Sequence, residues 1–274
     1  MVLKEAQDKY ARMNKALPVP ISDLWNCHRQ DMASAILKFQ SVEEVILWAQ
    51  ASGHTATPGG SGFDHRIVFN PALIQTKIEA LLARFPSHSL STLLGLGEST
   101  LSHPDSLGII EGHVLSNVFL WHLNAYLACM TFIPPPHSVL EIGGGYGGLA
   151  RIFALKGVDY TIIDMPETLF FAEVFLRANG IEGVKLLRVG DPLGIYDLAI
   201  NQGGFGEMPQ QTVDYWAEIL KGRIKHVYSL NYHKEGPNFT GAEFRGWKVI
   251  REEVDPPPIM GDVQGTWLEA IYAL

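Results

Sequence analysis

The sequence predicts an α/β fold: a mainly parallel sheet with helices on both faces, closed by an antiparallel C-terminal hairpin and preceded by a mainly helical N-terminal domain. Three observations carry this. From residue 137 onward, strand-like runs alternate with helix-like ones, the pattern of a parallel sheet wrapped by its crossover helices. The last two strand-like runs, "GWKVIREE" and "GTWLEAIYAL", have no helix between them, which predicts a hairpin at the sheet edge. Between the two halves stand Pro134, Pro135 and Pro136, which cannot continue a helix and favour extended backbone. They divide the chain into a helical domain, residues 1–133, and a second domain, residues 137–274.

In the first part, "MVLKEAQDKYARMNKALP" alternates charged and small residues and contains no apolar run of signal-peptide length. Ser41 followed by Glu44 fits a capping box that opens "SVEEVILWAQASG", and Gly53 ends it. Residues 54–66, "HTATPGGSGFDHR", read as a mobile loop from their Gly, Pro and Ser content. In "PALIQTKIEALLARF", Ile74, Ile78, Leu81, Leu82 and Phe85 recur at helical spacing on one side. The longest apolar stretch, around residues 114–133, is interrupted by Ser116, Asn117, His122 and Asn124, so it predicts a buried helix and not a membrane span. If that helix begins near "EGHVL", His113, Asn117 and Asn124 fall within about 40° of one another at about 100° per residue, and His122 falls on the opposite side. Such a stripe suggests a pocket wall; a hydrogen-bonded structural histidine is the alternative.

After the prolines, "SVLEI" reads as a strand and "GGLARIFALKG" as a helix stopping at Gly157. "VDYTIID" is a strand, followed by the helix "PETLFFAEVFLRANG" with Pro166 in its first turn and Gly180 past its end. "GVKLLRV", "YDLAI" and "KHVYSLN" are further strands, with the helix "PQQTVDYWAEILKG" between the last two.

Composition narrows the function. Apolar residues make up 47% and charged residues 18%, enough for a sizeable core. A net charge of −8 argues against a nucleic-acid surface. Cys27 and Cys129 are far apart with no ligand-like spacing, which predicts no disulfide framework and a reduced, cytoplasmic setting. No zinc spacing and no tight Asp or His cluster predicts a metal site. No membrane partner is expected, and homodimerisation stays open.

The chemistry concentrates after the first strand of the second domain. Five glycines fall within the six positions 143–148. Gly143, Gly145 and Gly148 satisfy G-x-G-x-x-G, and Gly143, Gly145 and Gly147 equally satisfy the G-x-G-x-G pattern of S-adenosylmethionine sites. In both, a backbone without side chains lets a ligand approach a helix N-terminus; a tight turn with no ligand is the plain alternative. Glu141, two residues before the turn, would oppose a pyrophosphate but attract a sulfonium and an ammonium. Asp164 ends the second strand, where an acid can take both ribose hydroxyls, or serve only as a helix-entry acid. Asp191 follows the third strand, where it would accept from an adenine amino group or simply form a turn. Asn201 and Gln202 end the fourth strand, on the face where ligands bind such sheets.

"VLEIGGGYGGLARI", "YTIIDMPETLFFAEVFL" and "NQGGFGEMP" together resemble the class I S-adenosylmethionine-dependent methyltransferases, and more narrowly the sugar O-methyltransferases of bacterial polysaccharide and natural-product clusters. The resemblance covers residues 137 to about 274. It implies a Rossmann-like seven-stranded sheet with an antiparallel final strand, and S-adenosylmethionine as cofactor. By the same resemblance Glu141, Gly143, Gly145 and Asp164 hold the cofactor and Glu207 sits at the mouth of the active site; the expected cofactor set also includes Gly144, Tyr146, Met165, Asp191, Asn201 and Gln202.

Methyl transfer is an in-line displacement, and a sugar hydroxyl needs a base because it ionises far above neutral pH. Three residues are candidates. His113 heads the polar stripe, His233 follows the fifth strand in "LNYHKEGPN", and Glu207 lies in "GGFGEMP". The alternatives are a structural histidine, a solvated loop histidine and a helix-entry acid. The expectation is a methyltransferase acting on a hydroxyl of a sugar or glycoside. N-methylation of an amino sugar, an NAD-dependent oxidoreductase using the same glycines, and a binding module without chemistry remain the alternatives.

Overall fold

The computed structural model describes residues 1–13, 15–52, 71–99, 101, 107–110, 113–233, 246–254 and 266–273. The chain begins with helices α1 (Val2–Arg12), α2 (Asp23–Ile36), α3 (Val42–Ser52), α4 (Pro71–Arg84) and α5 (Leu90–Leu94). An antiparallel ribbon, β1 (Leu107–Ile110) with β2 (His113–Ser116), leads into α6 (Asn117–Phe132). There follow β3 (Ser138–Ile142), α7 (Gly148–Ala154), β4 (Asp159–Asp164), α8 (Pro166–Ala178), β5 (Lys185–Arg188) and β6 (Tyr196–Gln202). The short α9 (Gly204–Glu207), α10 (Gln210–Leu220), β7 (Ile224–His233), β8 (Lys248–Val254) and β9 (Thr266–Ala273) complete it.

Local chemistry sets several of these boundaries. Ser41 Oγ accepts from Glu44 N at 3.1 Å, and the Glu44 carboxylate reaches back to Gln40 N at 2.7 Å, so the capping box forms at the start of α3. Ser116 Oγ accepts from Phe119 N at 3.0 Å and starts α6 at Asn117. That cap corrects the stripe expected from the sequence: His113 lies outside α6, in β2, and shares no helix face with Asn124. The sequence reading also missed α1, α2 and the β1–β2 ribbon. In α1 a signal was present, since Leu3, Ala6 and Tyr10 recur at helical spacing on its buried side. The loop expected at residues 54–66 lies outside the described residues.

The main sheet has seven strands in the order β5-β4-β3-β6-β7-β9-β8. Pairings from β5 to β7 are parallel, and β9 runs antiparallel between β7 and β8. The predicted sheet and terminal hairpin are therefore present. Chain order reverses between β3 and β6, which opens a crevice at the carboxyl ends of those strands.

Alternation along each strand serves both faces. Val139, Ile162 and Ile200 pack with Leu120, Phe153 and Phe175 of α6, α7 and α8. Leu140, Ile142 and Ile163 pack with Val213, Trp216 and Leu220 of α10. The first of these cores also holds Ile78, Leu81 and Phe85, so residues on either side of the triple proline share one interior. A third cluster seats Leu3, Met32 and Val45 of α1–α3 on Phe170, Phe171 and Val174 of α8.

One buried charge network ties α4 and α6 to the hairpin. Glu269 on β9 is fully buried and accepts from Asn124 Nδ2 at 3.0 Å, from the Tyr228 hydroxyl at 2.8 Å and from Arg84. Arg84 also donates to Asn124 Oδ1 at 2.6 Å and to Glu253 at 2.8 Å. Breaking such a network strands a buried charge, so Glu269→Ala should lower unfolding free energy by ~3–5 kcal/mol. Urea unfolding checks this, with the exposed Gln211→Ala staying within about 0.5 kcal/mol of the parent.

Candidate functional site

The crevice at the β3–β6 switch point is built from the glycine turn. Gly143, at φ +75°, donates its N–H to Ile163 O at 2.9 Å and bends the chain out of β3. Gly145, at φ +55°, donates to Asp164 Oδ2 at 3.1 Å, and Asp164 Oδ1 accepts from Met165 N at 2.7 Å. Asp164 thus holds the turn from the end of the neighbouring strand. A Cβ on Gly144 would stand 2.6 Å from Ile162 Cγ2 and 2.9 Å from Glu141 Oε2, so no side chain fits there.

Glu141 lies behind that turn with 2% of its surface exposed, and its Oε2 is buried with no hydrogen-bond partner among the described residues. Burial pushes its carboxyl up to about 8; the neighbouring Tyr160 hydroxyl opposes the shift and the nearby Asp164 charge adds to it. Burial also raises Asp164 to about 7, although the Met165 and Gly145 N–H groups oppose it. A buried carboxylate with one oxygen left open beside a bare backbone is what a cationic ligand with a close-fitting end requires.

The cavity has a volume of about 200 Å³. Its floor is Glu141, Gly143, Gly144, Gly145 and Tyr146, and Asp164 and Met165 line one wall. Gln202 and Glu207 line another. Across the opening runs an N-terminal strap, with Leu17, Val19, Pro20, Ile21 and Trp25 contributing. Among the bonds that hold it, Thr212 Oγ1 donates to Pro20 O at 2.6 Å, Trp25 Nε1 donates to Glu207 Oε2 at 2.8 Å, and Arg29 donates to Lys15 O at 2.8 Å and, through Nε, to Glu167 Oε2 at 2.9 Å. The ring of Pro18 lies against Gly190, where an added Cβ would meet its Cγ at 2.8 Å.

Three sequence candidates fall elsewhere, and a fourth is not described. Asp191 accepts from Arg188 N at 2.9 Å and pairs with the Arg188 guanidinium, closing a turn outside the cavity lining. Asn201 is also off the lining: its Nδ2 donates to Ile142 O at 2.8 Å and its Oδ1 accepts from Phe205 N at 2.9 Å, bracing the end of β3 against α9. His113 is exposed on β2, paired with Ile110, and does not line the cavity. His233 ends β7, and its side chain lies outside the described residues.

The histidine expected to face away does the reverse. His122 lines the cavity, 6% exposed, with Nδ1 3.0 Å from Gln202 Oε1. The sequence missed it because the helix phase was taken from His113, a residue α6 does not contain. Trp25 was missed too. Pro18 and Pro20 signal an extended segment, but no local rule says where such a segment docks.

No family model matches the chain, and no curated protein does. Solved structures with a similar arrangement include Thermoplasma acidophilum 1320, at 22% identity over 56% of this chain and 85% of that one, with a TM-score of 0.41. TehB from Haemophilus influenzae matches at 14% identity over 56% and 62%, TM-score 0.42. The Pyrococcus abyssi tRNA (uracil-54, C5)-methyltransferase in complex with S-adenosyl-L-homocysteine matches at 14% over 63% and 40%, TM-score 0.42. With identities below 25% and scores below 0.5, none of these assigns a ligand or a reaction to this chain.

The raised carboxyls set a pH dependence. In the folded, ligand-free protein Glu141 holds its proton to about pH 8, whereas in the unfolded chain it loses it near 4.5. Between those values the native state binds more protons, so stability is fully present below about 4.5 and falls as pH rises toward 8. Urea unfolding from pH 5 to 8.5 should show this decline, and Glu141→Gln should reduce it, leaving the share that Asp164, raised to about 7, contributes.

Proposed function

We propose that the protein is an S-adenosylmethionine-dependent methyltransferase that acts on a hydroxyl of a small acceptor, with a sugar or glycoside as the acceptor class. The observation that carries the reading is Glu141 Oε2, buried and unpartnered directly behind the glycine turn. The charge of the cleft supports it. Glu141, Asp164 and Glu207 line the cavity, and no Lys or Arg is among its described lining residues. A pyrophosphate would meet three acidic side chains with no counter-charge and keep the two buried ones protonated, whereas a sulfonium and an ammonium favour their ionised forms. The strap across the opening favours a small acceptor over a polymer, and the likeness of "DMPETL" and "FGEMP" to sugar O-methyltransferases favours the sugar.

When bound, S-adenosylmethionine supplies a methyl group on a positively charged sulfur. The chain's contribution is placement and charge. Gly143, Gly144 and Gly145 let the cationic end come against the backbone, and Glu141 balances it once ionised. Asp164 keeps lone pairs for two ribose hydroxyls after accepting from Gly145 and Met165. Glu207 stands at the acceptor side, its carboxylate oriented by the Trp25 indole, and takes the hydroxyl proton as the oxygen attacks. Trp121 and Met208 help close the cavity against water.

Calorimetry separates this reading from its rival. S-Adenosylmethionine and S-adenosylhomocysteine should bind, and NAD should not; tight binding of NAD alone would overturn the reading. Asp164→Ala should weaken S-adenosylhomocysteine by ~1.5–3 kcal/mol, the worth of hydrogen bonds to a charged group. Glu207→Gln should lower turnover by ~10²–10⁴-fold and leave that affinity nearly intact, as loss of a general base does. His113→Ala should turn over normally, since that residue lies off the cavity.

A further inference from the structure

We propose that His122 is a ligand-binding residue, its neutral Nε2 accepting a hydrogen bond from the ammonium group of the bound methyl donor; this rests on the methyl-transfer reading above. The orientation of the ring fixes the role of each nitrogen. Gln202 Nε2 donates to Trp121 O at 3.3 Å, which turns Gln202 Oε1 toward His122 Nδ1, 3.0 Å away. An amide oxygen accepts only, so the imidazole proton sits on Nδ1 and Nε2 carries a lone pair. The ring is held flat against Trp121, with centroids 5.9 Å apart and planes 11° apart.

Nε2 is buried and has no partner among the described residues. Buried polar atoms in native proteins nearly always have one, and an exception within a ligand cavity marks where a ligand completes the set. The free edge of the ring has a definite direction. Cδ2, the carbon bonded to Nε2, is 2.7 Å from the position a Cβ would take on Gly148, so that edge faces the start of α7, directly after the glycine turn and beside Tyr146. The same turn is backed by Glu141, with its unpartnered Oε2. Two acceptor atoms that complete no bond among the described residues, His122 Nε2 and Glu141 Oε2, thus belong to residues lining one cavity, and a group with several N–H donors and a positive charge satisfies both. Burial lowers His122 to about 4, so it stays neutral at working pH and does not repel a cation.

The test uses S-adenosylhomocysteine and its analogue lacking the amino group, measured by calorimetry on the parent protein and on His122→Phe. Loss of the amino group should weaken binding to the parent ~10–100-fold. His122→Phe should weaken S-adenosylhomocysteine by a similar ~10–100-fold and shrink the penalty for losing the amino group. A second readout needs no variant: the His122 Nε2 resonance in the ¹⁵N spectrum of the parent should stay unprotonated from pH 5 to 8, and shift with S-adenosylhomocysteine but not with the analogue. Unchanged affinity in a folded His122→Phe, an equal amino-group penalty in both proteins, or a resonance indifferent to S-adenosylhomocysteine would each overturn the proposal. If His122→Phe does not fold, the resonance alone decides. Failure of the parent to bind S-adenosylhomocysteine at all would overturn the methyl-donor reading, and this proposal with it.

Discussion

A carboxylate forced into the interior behind a bare turn is the constraint on which the site depends. Glu141 sits on a central strand with parallel neighbours on both sides, and Ile162 and Ile200 are its register partners. That position buries the carboxyl, and Glu141 also lines the crevice. Such a group is costly in the empty protein, where it must remain protonated or go unpaired. A cation brought against the turn removes that cost. The geometry therefore favours one kind of ligand before any specific contact is made, and the other features of the crevice refine that preference.

The strap is the second determinant. A Rossmann-like sheet alone would present an open crevice at its switch point. Here Leu17–Ile21 and Trp25 cross it, and the anchoring bonds reach separate elements: Thr212 on α10, Glu207 on α9 and Glu167 on α8. Glu167 lies in the first turn of its helix, where the helix dipole supports a negative charge, and it is 2% exposed. The Arg29–Glu167 pair is consequently better shielded from salt than a surface bridge would be. Helices α1–α3 then give the strap a packed base on α8, so the N-terminal segment belongs to the architecture of the cleft.

How much of this the sequence disclosed follows from the range of the interactions. The strands, their helices and the terminal hairpin were legible because alternation and helical period act within a few residues. The glycine turn, Glu141, Asp164 and Gln202 were legible because they sit at or near strand ends, where topology fixes their direction, and Glu207 because it follows closely on β6, in α9. Asp191 and Asn201 also sit at strand ends but turn inward, onto Arg188 and onto Ile142 with Phe205; composition does not separate a residue that braces a turn from one that lines it. His122 and His113 were exchanged because one cap, Ser116, moves the start of α6 by four residues. Trp25 lay beyond reach altogether, since its contact with Glu207 spans 182 positions.

The most direct measurement is the number of protons exchanged on binding. Calorimetric titration of S-adenosylmethionine at pH 7, repeated in buffers of different ionisation enthalpy, reads that number. Glu141, held up to about 8 by burial, is largely protonated in the empty site, and a neighbouring cation stabilises its charged form. Binding should then release protons to the buffer in the parent protein, and this release should disappear in Glu141→Gln. A parent protein that binds S-adenosylmethionine with no proton release, or with the same release as Glu141→Gln, would contradict the assignment of Glu141 as the counter-charge on which the site is built.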